Sequence, residues 1–164
     1  PLFFLQERVG FQSKRFRVIK FRSMRKRLAS ESWSGSTSKD DPRVTRVGRI
    51  VRRLALDELP QVINLWKGDM SFVGPRPLPT NMHKAYLKED ADFSRRLAVR
   101  PGLTGLAQLH LRRHDTARNR SRYDRLYIEN ASIWLDVKLI ALSVWITLTG
   151  RWGKGRRETT EARP

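Results

Sequence analysis

DDPRVTRVGRIVRRLALDELPQVINLW occupies residues 40–66 and reads as two short helices separated by an acidic pair. Asp41-Pro42 is a helix-start signal, and Val44, Val47, Ile50, Val51 and Leu54 then recur at helical spacing. Arg46, Arg49 and Arg53 fall on the opposite face, with Arg43 and Arg52 flanking it. The pattern breaks around Ala55 to Glu58, after which Pro60 sits where a first helical turn tolerates proline. Leu59, Val62, Ile63 and Trp66 continue an apolar stripe, so Asp57-Glu58 lies at a helix-to-helix junction. An Asp in such a place can simply cap the helix. The setting offers more: Arg52 and Arg53 lie just upstream, and the second helix aims its amide donors at the junction, both of which favour anions. Adjacent side chains diverge, so the two carboxylates can do separate work, one attacking and one holding a cation.

On the N-terminal side, Phe3 to Val9 and Phe16 to Phe21 are rich in aromatic and β-branched residues, with turn chemistry between Gly10 and Lys14. This predicts a β-hairpin. Ala29 to Lys39 has the composition of a solvated, moving loop. On the C-terminal side, Gly74-Pro75-Arg76-Pro77-Leu78-Pro79 predicts a rigid loop, followed by helices over 81–88 and 92–98 and a Pro/Gly turn over 100–105. Further helices are expected over 121–129, where Tyr123, Leu126 and Tyr127 share a face, and over 133–148. The expected fold class is α+β: a small N-terminal β-hairpin with several short helices, some amphipathic and suited to a membrane interface. Residues 1–150 read as one domain and 151–164 as a polar, disordered tail.

The 164 residues suffice for one modest core. A net charge of +18 exceeds what solubility requires and predicts a polyanionic partner: nucleic acid, anionic lipid or a phosphorylated substrate. Arginine suits phosphate because its planar guanidinium offers paired hydrogen bonds and keeps its charge. Arg22, Arg43, Arg52 and Arg76 each sit beside a loop or turn, and Pro75 and Pro77 preorganise Arg76. No cysteine is present, which excludes disulfides and thiolate metal sites. His83, His110 and His114 lack metal-cluster spacing and read as surface residues. Neither a Walker-type loop nor a Gly-x-Ser-x-Gly elbow occurs, so nucleotide triphosphatase and serine hydrolase readings lose support. The chain opens at Pro1 without a signal-peptide pattern, and no stretch reaches the roughly 20 apolar residues of a membrane span.

Six ordered blocks carry a specific resemblance: FFLQERVG from Phe3, KFRSM from Lys20, DDPRVTRVGR from Asp40, LDELPQVINLWKGDMSFVGPRP from Leu56, VRPGLTGLAQ from Val99 and YIENASIWLDVKLI from Tyr127. From Phe3 to Gly150 the chain resembles the bacterial sugar transferases, the monotopic polyprenyl-phosphate phosphoglycosyl transferases that initiate glycoconjugate and exopolysaccharide assembly. The resemblance implies a two-step transfer of sugar phosphate from a nucleotide diphosphate sugar, by family default a UDP-sugar, to polyprenyl phosphate, with release of a nucleoside monophosphate. It makes Asp57 the nucleophile and Glu58 a ligand of Mg²⁺, and places Arg52 and Arg76 at phosphate-contacting positions. It also implies work at the cytoplasmic face of the bacterial inner membrane. The family has a re-entrant helix upstream of the position of Pro1. From His110 to Arg120 the chain departs from the family pattern and is unusually basic. Attachment to anionic bilayers is expected through Trp134, Trp145 and Trp152 with neighbouring basic residues. A nucleic-acid-binding protein is the main rival from another class, but the basic residues are scattered through apolar patterns and no nucleic-acid motif is present, so no nucleic-acid partner is expected.

Overall fold

A computed structural model describes residues 1–25, 41–111 and 115–149. The loop expected over 29–39, His114, Trp152 and the expected tail over 151–164 lie outside the described residues. The architecture is α+β. Strands β1 (Phe3–Val9) and β2 (Arg15–Phe21) form the expected hairpin, with Gln6 opposite Val18 and Arg8 opposite Phe16. Its turn closes through Gly10 N–H to Lys14 O at 2.9 Å and Lys14 N–H to Phe11 O at 3.0 Å. Alternate residues of a strand share a face, so Phe16 and Val18 turn inward, and Lys20 comes next on that face.

Helix α1 (Arg46–Arg53) starts later than the Asp41-Pro42 signal suggests. The Thr45 hydroxyl oxygen accepts from Gly48 N–H at 2.9 Å and caps it. Asp41 instead closes a turn, accepting from the Arg43 backbone at 3.0 Å and from its guanidinium at 2.9 and 2.6 Å. Ala55, in the left-handed region at φ 54°, ends α1 and turns the chain into a 3₁₀ segment, Leu56–Gln61, which carries Asp57 and Glu58 and leads into α2 (Val62–Trp66).

Asn64 of α2 fastens this segment beneath the hairpin. It is 1% exposed, accepts from Ile19 N–H at 3.1 Å and donates to Arg17 O at 2.8 Å. An open strand edge thus finds both a donor and an acceptor in one buried amide. Phe16, Val18 and Met70, with Leu65, form the small core between hairpin and α2.

Strand β3 (Ser71–Val73) and β4 (Leu78–Pro79) flank the proline-rich loop. β4 pairs antiparallel with β1, setting Val9 opposite Leu78. β3 pairs in parallel with β5 (Gly102–Thr104), within the segment expected to be only a turn. A Cβ on Gly102 would run into the Gly74 backbone, so this close approach requires glycine. The loop is therefore anchored at both ends, beside the hairpin.

Helix α3 (Thr80–Glu89) precedes a 3₁₀ stretch, Ala91–Ala98, where a helix was expected; the Asp90 carboxylate caps it by accepting from Asp92 N–H at 3.1 Å. Helices α4 (Leu106–His110), α5 (Ala117–Glu129) and α6 (Ile133–Thr149) complete the described fold. α5 begins earlier than expected because the Thr116 hydroxyl accepts from Asn119 N–H at 3.3 Å. Val73, Tyr127 and Leu139 form one further core cluster, and Leu78, Phe93 and Ala117 another. Among the described residues, no helix is long and apolar enough to cross a membrane. His83 is buried against Phe93, with ring centroids 5.6 Å apart, which corrects its reading as a surface residue. His110 is exposed and stacks on Tyr123 at 5.7 Å.

Candidate active site

The 3₁₀ segment presents Asp57 and Glu58 next to β2 and the proline-rich loop. Lys20 Nζ lies 2.5 Å from Glu58 Oε1, and Arg76 Nη2 donates to the same oxygen at 2.8 Å. Burial pushes the Glu58 carboxyl up, but Arg76 and Lys20 outweigh it and hold the group well below the usual carboxylate range. Glu58 in turn raises Arg76 against the opposing effect of burial. Burial draws Lys20 down despite Glu58, so its ammonium is held in place at a desolvation cost.

Arg8 adds a third cation nearby. Its Nη1 donates to Pro77 O at 2.7 Å and its Nη2 to Gln6 Oε1 at 2.6 Å. Burial, reinforced by the field of Arg76 and opposed by Glu58, lowers its pKa to about 10. Arg8, Lys20, Gln61, Arg76 and Pro77 line one small cavity. Three cations around the single Glu58 carboxylate leave an excess of positive charge, which suits a further anion.

Asp57 differs from its neighbour. Among the described residues no Lys or Arg lies within ion-pair distance of it. Burial and the adjacent Glu58 raise its pKa, while Lys20 and Arg52 oppose that rise through space. Asp57 does not occupy the N-cap position of its segment; Ala55 does, without a side-chain hydrogen bond. Among the described residues the dyad therefore consists of one carboxylate locked between cations and one without a direct cationic partner.

Of the four arginines expected to meet phosphate, Arg76 joins the dyad directly and Arg52 acts on Asp57 electrostatically. Arg22 and Arg43 have other partners. Arg22 donates to Pro1 O at 3.0 Å and to Phe3 O at 3.3 Å and sits over the Phe4 ring at 5.7 Å. Arg43 is engaged by Asp41, whose carboxyl it lowers to about 2, mainly through the side-chain hydrogen bond. Sequence reasoning missed Lys20 and Arg8 as site residues. The signal for Lys20 was that it continues the two-residue alternation of the inward-facing Phe16 and Val18.

No group of three or more His, Cys, Asp or Glu side chains gathers as a metal site among the described residues. Mg²⁺ commonly binds through one or two carboxylates plus substrate phosphates. Glu58 fits that pattern through its second oxygen: Oε1 is committed to Lys20 and Arg76, which leaves Oε2 for such an ion.

The exterior beside the dyad is apolar and basic. Val47 is 70%, Ile50 62%, Leu59 55%, Val62 55% and Trp66 89% exposed, so the stripes of α1 and α2 face outward rather than into a core. The exposed Arg46, Arg49 and Arg53 belong to the same helix, α1.

The family model described as bacterial sugar transferase matches residues 1–150. The chain is 42% identical over 154 residues to a UDP-N-acetylgalactosamine-undecaprenyl-phosphate N-acetylgalactosaminephosphotransferase of Aeromonas hydrophila, covering 92% of this chain and 36% of that protein. It is 43% identical over 153 residues to an undecaprenyl-phosphate glucose phosphotransferase of Komagataeibacter xylinus, covering 88% and 29%. A Rhizobium leguminosarum exopolysaccharide production protein is 42% identical over 163 residues, with 94% and 80% covered. The chain thus spans about a third of the length of the first two relatives. On a match of this extent, the chain belongs to the bacterial sugar transferase family.

Proposed function

We propose that this chain is the catalytic unit of a phosphoglycosyl transferase, passing a sugar 1-phosphate from a UDP-sugar to polyprenyl phosphate through a covalent intermediate on Asp57. The carrying observation is the unequal dyad: Glu58 is neutralised by Lys20 and Arg76, while Asp57 has no direct cationic partner among the described residues. The names of the relatives, two of them undecaprenyl-phosphate sugar phosphotransferases, support the substrate pair.

In the first step an Asp57 carboxylate oxygen attacks the β-phosphorus of the nucleotide sugar. A new P–O bond forms, the bridging bond to the α-phosphate breaks, and the nucleoside monophosphate leaves with that electron pair. In the second step an oxygen of polyprenyl phosphate attacks the same phosphorus. The bond to Asp57 breaks, restoring the carboxylate and giving a diphosphate-linked sugar. The acyl phosphate is activated enough to hand its group onward.

Arg76, Lys20 and Arg8 supply the positive field that lets two anions approach, and their preorganisation reduces reorganisation when charge shifts. Glu58 would hold Mg²⁺ together with substrate phosphates, and the ion would supply charge neutralisation on the phosphoryl oxygens. The outward apolar stripes of α1 and α2, with the α1 arginines, support attachment to an anionic bilayer at the cytoplasmic face, bringing the dyad near a lipid-borne acceptor. The test is incubation with Mg²⁺, undecaprenyl phosphate and a panel of UDP-sugars while UMP is measured. Release of UMP with at least one sugar is expected; none across the panel would contradict the reading.

A further inference from the structure

The segment carrying Arg76 is held by its carbonyl groups. Pro75 and Pro77 have no N–H to give, and the oxygens are taken up from four directions. The Tyr127 hydroxyl lies 3.2 Å from Val73 O and 3.0 Å from Asp136 Oδ1, its single proton shared between the two acceptors. Gly102 N–H donates to Pro75 O at 3.0 Å. Arg96 Nη2 donates to Arg76 O at 2.6 Å, and Arg8 Nη1 to Pro77 O at 2.7 Å.

The Arg96 bond is the unusual one. Its side chain is 6% exposed and pairs through Nε with Asp124 Oδ2 at 3.2 Å, itself on a side chain 4% exposed. Its guanidinium also lies 4.6 Å from the centre of the Phe93 ring. Burying an ion pair carries a desolvation cost that an apolar side chain would avoid. A guanidinium meets three demands here at once: a carboxylate, a carbonyl and an aromatic face. Lysine has a single nitrogen and cannot reproduce that fork. Asp124 and Tyr127 lie one turn apart on α5, so a single helix face reaches both ends of the segment, Val73 directly and Arg76 through Arg96.

We propose that Arg96, held by Asp124, is a positioning residue that aims the Arg76 guanidinium at Glu58 and the transferring phosphate by clamping the Arg76 carbonyl. The inference rests on the transferase reading above. It places part of the control of phosphate recognition on α5, remote from the dyad in sequence.

Arg96→Lys keeps a charge opposite Asp124 and loses the fork. With the fold retained by circular dichroism, kcat for UMP release is expected to fall on the order of 10- to 100-fold, as a small displacement of a positioning group does. The deciding comparison is a double-mutant cycle with Arg76→Lys. If Arg96 acts through Arg76, Arg96→Lys adds little once Arg76 is already Lys; fully additive losses would overturn the clamp. Hydrogen exchange gives a readout independent of turnover. Exchange over 73–79 should rise in Arg96→Lys while the β1 and β2 peptides stay unchanged, and unchanged exchange over 73–79 would overturn the proposal. Should Arg96→Lys fail to fold, the double variant Arg96→Met/Asp124→Leu removes the carbonyl donor without stranding a buried charge. It should show the same rise in exchange. If the parent protein released no UMP with any sugar, the transferase reading would fall by itself, and the exchange comparison alone would decide the clamp.

Discussion

Lys20 and Glu58, 38 residues apart in sequence, meet at 2.5 Å and join the hairpin to the acidic dyad. The pair fixes which of the two carboxylates is neutralised. Lys20→Met is expected to lower kcat about 100-fold, the scale of losing one preorganised donor. Arg76 still neutralises Glu58 in that variant, so the fold should survive. Steady-state UMP release and a thermal melt check both parts. Unchanged kcat would reduce Lys20 to a structural tie.

The pH dependence should report Asp57. Its pKa is raised above the ordinary 3.8 by burial first and by Glu58 second. The attacking group must be anionic, so kcat/KM should fall as pH drops through that raised value, giving an acid limb above the ordinary carboxylate position. Glu58 is shifted the other way and stays ionised through this range. The stability effects have opposite signs. The depressed Glu58 contributes stability that is present above its unfolded value of 4.5 and lost as pH falls, whereas the raised Asp57 costs stability as pH rises through its window. A rate profile with its acid limb at or below 3.8 would contradict the raised pKa of Asp57.

Asn64→Ala should be the most damaging truncation in α2. It strands the Ile19 N–H and the Arg17 carbonyl beneath the hairpin, and unmet buried groups cost roughly 1–3 kcal/mol each. Denaturant titration is expected to show a clear loss of stability, with activity reduced because the dyad segment loses its tie to β2. A loss below about 0.5 kcal/mol, typical of surface changes, would show that water replaces the amide without penalty.

These residues also show what could be read in advance. The hairpin was legible because alternation in β2 is local, and that alternation already aimed Lys20 inward. Its partner was not legible, since no local pattern links Lys20 to Glu58. The break at Asp57-Glu58 was visible from Pro60 and the interrupted stripe. The parallel pairing of β3 with β5 was invisible, because each strand is three residues long and pairing depends on distant backbone. Asp41 was misread as a helix start because Arg43 captures its carboxylate in a turn, leaving Thr45 to cap. Helical spacing revealed the apolar stripes of α1 and α2 but not the direction they face. Arg96 and Asp124 sit in arginine-rich helical segments where nothing local separates a buried ion from a solvated one.

Membrane attachment was expected through Trp134, Trp145 and Trp152; the structure adds exposed apolar stripes on α1 and α2, and leaves Trp134 and Trp145 exposed on α6. Ile50→Ser/Trp66→Ser should reduce binding to anionic liposomes at low salt more than Trp134→Ser/Trp145→Ser does, because α1 carries four arginines beside its apolar stripe whereas α6 carries Lys138 as its one basic residue. Each basic residue near an anionic surface contributes on the order of 1 kcal/mol, screened by salt. Sedimentation with anionic and neutral vesicles at two ionic strengths makes the comparison. Equal binding by the Ile50/Trp66 variant and the parent would move the attachment face to α6.

The central claim is that Asp57 carries the sugar phosphate. The direct measurement is mass spectrometry of the protein after brief exposure to Mg²⁺ and its UDP-sugar with polyprenyl phosphate withheld. A gain of one sugar phosphate on the peptide containing Asp57 is expected, accompanied by UMP and discharged by adding the acceptor, with neither gain nor UMP in Asp57→Asn. UMP release that requires the acceptor, with no mass gain at any time, would mean that the phosphate passes directly between substrates and that Asp57 is not the nucleophile.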